Sequence, residues 1–152
     1  MKRRLLVIGL LYDYVSMAAA AAEYSHHIGG QMLTVATRGP DQPNIASLPF
    51  VALKGGVESG EFTDHPPVIF LMQEATYLAH RKTDLHAIAA VGLPSIGDVV
   101  AFLEPHGFEM IVCSPCAVPR GIGEADLVSS ARMGGAADLA KLVKEHHFVL
   151  TF

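Results

Sequence analysis

Charge is scarce in this 152-residue chain: Asp, Glu, Lys and Arg make up 17% of it, against roughly 25% in an average soluble domain. What charge there is leans acidic, with 11 Lys and Arg against 15 Asp and Glu and a formal net charge of -4. That excludes a nucleic-acid footprint, because holding phosphates takes clustered positive charge. Cysteine is scarcer still. Two residues, Cys113 and Cys116, are too few for a disulfide framework, and their spacing points to redox, sulfur or metal chemistry instead. The apolar run near the N-terminus falls far short of the roughly 20 residues a bilayer-spanning helix needs, so no membrane partner is expected. Apolar residues, by contrast, make up 51% of the chain, which excludes a disordered segment. A chain of this length forms about one domain and buries about 70% of its unfolded surface. So few charges leave little to coat a monomer, and a subunit interface is expected.

Residues 1–30 read as an N-terminal extension. Met1-Lys2-Arg3-Arg4 precedes the apolar run Leu5 to Tyr12 and then Ala18 to Ala22. A positive start, a short greasy stretch and small residues together have the form of a secretory signal. Asp13 interrupts that pattern, and the alternative is a strand (Leu5 to Leu11) leading into an Ala-rich helix (Val15 to His27) closed by Gly29-Gly30, a usual C-terminal stop. Translation beginning nearer Met32 is a third reading.

From Met32 onward strand and helix alternate. Met32 to Thr37 reads as a buried strand, followed by the turn-rich Arg38 to Pro43. A helix is expected over Ala46 to Ser59, with Ser47 and Pro49 in its first turn and Gly60 closing it. After the linker Glu61 to Pro67, the continuous apolar run Val68 to Met72 has the form of a strand covered on both faces. Ala75 to Ala79 reads as a short helix. Ser95 and Asp98 have capping-box spacing, with Ile96, Val99, Val100 and Leu103 on one face of the helix that follows, and Pro105 and Gly107 ending it. Phe108 to Cys113 reads as a strand, Glu124 to Met133 and Ala136 to His146 as helices, and His147 to Phe152 as a terminal strand. Such alternation implies βαβ units and a mainly parallel sheet with helices on both faces.

Cys113 stands where the strand Phe108 to Val112 gives way to the loop Cys113 to Gly123, and sites in open parallel sheets collect at the carboxyl ends of strands. A following helix N-terminus and the Arg120 guanidinium would both favour a thiolate there. Several uses of the pair remain open. A dithiol redox site of thioredoxin type uses Cys-x-x-Cys, but after an early strand, and this pair follows what reads as the last strand but one. A structural zinc needs four ligands, and no His lies within ten residues downstream of Cys116. Covalent haem attachment needs His directly after Cys116, where Ala117 stands. No metal or other cofactor is therefore expected. Two small side chains packed inertly beside a sheet are the plain alternative.

The run Cys113-x-x-Cys116-x-x-x-Arg120-Gly121-Ile122, then Asp126-Leu127 and the terminal Val149-Leu150-Thr151-Phe152, resembles the DsrE/DsrF-like family. Leu48 to Ala52, Val68 to Leu71 and Gly92 to Ser95 carry the likeness upstream, so it spans Met32 to Phe152. The resemblance implies a flavodoxin- or Rossmann-like three-layer α/β/α domain over residues 31–152, with about five strands, assembled as a trimer or hexamer. It also implies a sulfur-relay role with a sulfur donor or acceptor protein as partner. Cys113 then becomes the thiol that accepts a persulfide sulfur, and Arg120 the group that stabilises the anion. Cys116 either resolves the persulfide or lies near it. The competing readings are an oligomeric binding module without catalysis and a dithiol oxidoreductase. A cytoplasmic location goes with the sulfur-relay reading, and export with a working signal in residues 1–22.

The other polar candidates carry less. His26-His27 and His146-His147 are adjacent pairs at expected helix ends, His80 and His86 flank a charged loop, and Gly121-Ile122-Gly123 lacks the third glycine of a dinucleotide fingerprint. Gln73 and Glu74 follow their strand toward the sheet edge expected to hold Cys113, and with the Arg38-Gly39-Pro40 loop they are candidate pocket residues.

Overall fold

Five strands form one sheet in which every neighbouring pair is parallel, in the order β4-β3-β2-β1-β5. They are β1 (Met32–Ala36), β2 (Val68–Leu71), β3 (Glu109–Cys113), β4 (Ala131–Gly134) and β5 (Phe148–Thr151). Among the described residues five α-helices accompany them: α1 (Pro43–Ala46), α2 (Leu48–Ser59), α3 (Ile96–Leu103), α4 (Ser114–Ala117) and α5 (Ala136–Glu145). The computed structural model describes residues 31–60 and 65–152. The strand and helix read over Leu5 to His27, and the signal-like alternative, lie outside the described residues, as does most of the Glu61 to Pro67 linker.

The order of the strands assigns the helices to faces. From β1 to β4 each step moves one place in the same direction, and right-handed crossovers then put α2, α3 and the segment after β3 on one face. The step from β4 to β5 runs back across the sheet, which puts α5 on the other. The cores agree. On the first face Phe50, Leu53, Val99 and Leu103 pack with Ala36, Ile69, Leu71, Met110 and Val112. On the second, Leu33, Val35, Phe70, Ile111 and Cys113 form a separate cluster against Leu139 and Leu142 of α5. Neighbours in sequence alternate between faces, as the period-2 geometry of a strand requires. Phe50, at 0% exposure, and Phe70, at 1%, are each worth about 1.5–3 kcal/mol of burial.

Local signals act where expected. Ser95 Oγ accepts the Asp98 N–H at 3.1 Å and donates to Asp98 Oδ2 at 2.6 Å, which starts α3. Gly60 ends α2 in the left-handed region at φ 74°. Ala75 to Ala79 falls within a 3-10 helix over Gln73–Ala79.

Glu124 to Met133 departs from expectation. It is not a helix: a single 3-10 turn at Glu124–Asp126 is followed by β4, which pairs with β3. Leu127, Val128, Ala131 and Met133 are partly buried against the first core, so the apolar spacing that suggested a helical stripe serves a turn and a short edge strand. Ala-Arg-Met-Gly carries no β-branched residue, and sheet context overrides its weak propensity. The thiol motif therefore follows the third of five strands.

Candidate functional site

The connection leaving β3 packs on the first face, through Ala117, Ile122 and Leu127, whereas the chain leaving β4 turns to α5 on the second. Adjacent parallel strands whose connections part in this way leave a crevice at their carboxyl ends. Cys113 and Gly134, register partners at the last pair of β3 and β4, stand at that crevice. Ser114 Oγ donates to the Gly134 carbonyl at 2.8 Å and closes its flank.

Both cysteines are free thiols. Cys113 caps α4 at its N-terminus, and Cys116 is the third residue of that helix, one turn on. Cys113 is 7% exposed, set among the apolar side chains of the second core, while Cys116 is part-exposed at the rim of that cluster. Burial pushes the Cys113 thiol above the ordinary cysteine range; the neighbouring Cys116 side chain adds to this, and the Cys116 backbone N–H works against it. This is opposite to the thiolate expected from the sequence. α4 spans a single turn, so its aligned dipole is small.

Arg120 takes up a different post from the one expected. Its Nη1 donates to the Cys116 carbonyl at 2.8 Å and its Nη2 to Glu74 Oε1 at 2.5 Å. The guanidinium thus ties the thiol loop to the segment after β2. The Arg120 side chain beside Glu74 holds that carboxyl below its usual range, and Arg38 contributes in the same direction. Glu74 is aimed by its neighbour: Gln73 adopts φ 50°, left-handed backbone that a non-glycine residue occupies at a cost. Gly39 fits under this turn, where an added Cβ would lie 2.4 Å from the Glu74 carbonyl oxygen. Glu74 therefore meets the thiol loop through Arg120, and the Arg38–Pro40 loop lies against Glu74.

The remaining candidates lie apart. His80 Nδ1 accepts from the Lys82 N–H at 3.0 Å, His86 faces Asp98 at 3.3 Å, and His146 is bonded to the Leu142 carbonyl of its own helix at 2.7 Å; His26 and His27 fall outside the described residues. Among the described residues no group of three or more His, Cys, Asp or Glu side chains converges to hold a metal, and no helix is long and apolar enough to cross a membrane. A groove of about 740 Å³ lies at the amino ends of the strands, lined by His65, Phe108, Glu109, Ser130 and Arg132 among others. Its one arginine is already held by Glu109 at 2.7 Å and Asp138 at 3.3 Å. The sequence reading did not mark this groove, whose residues come from five separated segments. It lies at the opposite end of the sheet from the thiols.

Fold and site together define a three-layer α/β protein with a thiol pair at the carboxyl ends of its strands. The model of the DsrE/DsrF-like family matches residues 31–152, and the chain belongs to that family. Among curated proteins it is similar to an uncharacterised protein of Methanocaldococcus jannaschii, MJ0989, with 30% identity over 84 residues, covering 55% of this chain and 69% of the relative. Among solved structures it resembles the ychN protein from E. coli, with a TM-score of 0.64 at 20% identity, over 81% of this chain and 99% of the other. It also resembles MTH1491 from Methanobacterium thermoautotrophicum, a protein of unknown function, with a TM-score of 0.52 at 12% identity, over 80% and 99%. At those identities the two structures speak for the fold.

Proposed function

We propose that the protein is a sulfur carrier that takes a sulfane sulfur onto Cys113 and passes it to an acceptor thiol. The observation that carries this reading is the pair of free, neighbouring thiols at the strand ends of a DsrE/DsrF-like domain, on a loop clamped by Arg120. In the loading step the donor persulfide R–S–S⁻ and the Cys113 thiol give Cys113–S–S⁻ and R–SH; an acceptor thiol reverses the step. No cofactor takes part. Arg120 acts by holding the loop, since its donors are directed at Glu74 and the Cys116 carbonyl.

The reading extends to donor and acceptor proteins as partners, a cytoplasmic site where thiols stay reduced, and assembly as a trimer or hexamer. Exposed Phe148 (53%) and Leu150 (41%), alternate residues on one face of the edge strand β5, support the assembly, because neighbouring apolar side chains of this size on a surface favour contact with another chain.

The test is incubation with a persulfide donor followed by intact-mass measurement. Gain of one sulfur atom by the wild type, mapped to Cys113, is expected; no gain from any donor refutes the reading. A second reading, a dithiol oxidoreductase, is favoured by the two free cysteines standing one helical turn apart. It predicts a reversible Cys113–Cys116 disulfide without sulfur uptake.

A further inference from the structure

The two thiols differ in what can reach them. Cys113 is 7% exposed, packed with Leu33, Val35, Phe70 and Ile111, and flanked by Gly134 and the Ser114 hydroxyl bonded to it. A donor persulfide attached to another protein or a tripeptide brings its outer sulfur to so enclosed a residue only slowly, since thiol exchange depends on access. Cys116 is part-exposed, one helical turn further on, and packed against the same apolar cluster as Cys113.

In oxidoreductases built on this spacing one thiol attacks and the other resolves. Here the solvent-facing thiol is the second of the pair, and its backbone carbonyl is pinned by Arg120 at 2.8 Å. Glu74 holds the same guanidinium at 2.5 Å, so the position of Cys116 is set from β2 as well as from its own helix.

Resting on the sulfur-carrier reading, we propose that Cys116 is the port through which sulfur enters and leaves, and that Cys113 is the store behind it. Sulfur first bonds to Cys116, giving Cys116–S–S⁻ and releasing the donor as R–SH. Cys113 then attacks the outer sulfur: the S–S bond to Cys116 breaks, a new S–S bond forms on Cys113, and the Cys113 proton passes to the departing Cys116 sulfur. The products are Cys113–S–S⁻ and Cys116–SH, with no oxidant, reductant or external base consumed. The departing Cys116 sulfur, one helical turn away against the same apolar cluster, is the acceptor for that proton. Attack on the inner sulfur instead would release HS⁻ and leave a disulfide, so the two courses have different products.

The experiment compares wild type, Cys116→Ser and Cys116→Ala, each checked for native circular dichroism, with two donors: glutathione persulfide, which is bulky, and hydrogen disulfide, which is small. Peptide mapping after alkylation locates the added sulfur. The expected result is sulfur on Cys113 in the wild type with both donors. In the Cys116 variants, loading of Cys113 should be slowed about tenfold or more with glutathione persulfide and much less with hydrogen disulfide. Cys113→Ser should hold sulfur on Cys116. Equal loading of Cys113 in wild type and both Cys116 variants with both donors overturns the port while leaving the carrier intact. Release of HS⁻ with a Cys113–Cys116 disulfide also overturns it, in favour of a resolving role. Absence of sulfur from every form refutes the carrier reading itself, and the port with it.

Discussion

Adding one methyl group to Gly39 should weaken the whole domain. The new Cβ would lie 2.4 Å from the Glu74 carbonyl oxygen and 2.9 Å from its carbon, whereas ordinary contact begins at about 3.5 Å, so a gap of about 1 Å must open. Neither side yields easily, because both are backbone. Gly39 accepts the Gln42 N–H at 3.0 Å, and just before it Ala36 accepts the Met72 N–H at 2.8 Å. The cost of such overpacking is about 1–3 kcal/mol. With a urea slope of about 1–3 kcal/mol per molar, the denaturation midpoint should fall by roughly 1 M. Gly55→Ala is the control: the same methyl group, placed inside α2, meets nothing within 4 Å. It should stabilise by about 0.5–1 kcal/mol, because alanine gives up less backbone entropy than glycine. Opposite signs from one chemical change are the signature of the contact. A Gly39→Ala midpoint within about 0.2 M of wild type, or one shifted in the same direction as Gly55→Ala, would refute the packing of the Gly39 loop against Glu74.

Two further outcomes follow. The Glu74 carboxyl is held below its usual range by Arg120, Asp98 by the Ser95 hydroxyl, and Asp126 and Asp138 by the backbone N–H groups of Gly123 and Gly135. A carboxyl depressed in the fold lends stability above its unfolded value and loses it as pH falls through the folded one. Urea midpoints should therefore hold nearly level from about pH 7 to about pH 5 and drop below about pH 4, less steeply in Asp138→Asn; a drop already complete at pH 5 would point to other groups. Arg120→Lys should loosen the thiol loop, because a single ammonium cannot reproduce the planar fork that serves Glu74 and the Cys116 carbonyl together. Alkylation of Cys116 near neutral pH should then rise severalfold with little change in the urea midpoint, and an unchanged rate would argue against the clamp.

Where local chemistry decided the structure, the sequence showed it. Val68 to Leu71, buried throughout, reads as a two-sided strand because every position is apolar. Ser95, Gly60 and Gly107 stand at helix ends, where side-chain capping or a left-handed turn requires their types. β4 was illegible because what makes it a strand is the free edge of β3, not Ala-Arg-Met-Gly itself. At the site the cysteine spacing gave the location, but not the partners. Arg120 and Glu74 are 46 residues apart, and they meet because the left-handed turn at Gln73 aims one at the other. Nor does a one-dimensional pattern reveal that the first cysteine is enclosed and the second open; that follows from which face of β3 position 113 occupies.

The pairing of Arg120 bears on how the thiols are controlled. A lone guanidinium beside a sulfur would keep it as thiolate at rest, and thiolates are the form that oxidises. Glu74 offsets that charge, and the two Arg120 donors described are spent on a carboxylate and a carbonyl. The cation therefore fixes position more than it charges sulfur. Burial acts in the same direction on Cys113, which it holds protonated. Both effects lower resting reactivity, so reaction at Cys113 requires a partner that delivers sulfur and accepts a proton at close range. Among the described residues, the one other thiol is Cys116, one helical turn from Cys113 and packed against the same apolar cluster.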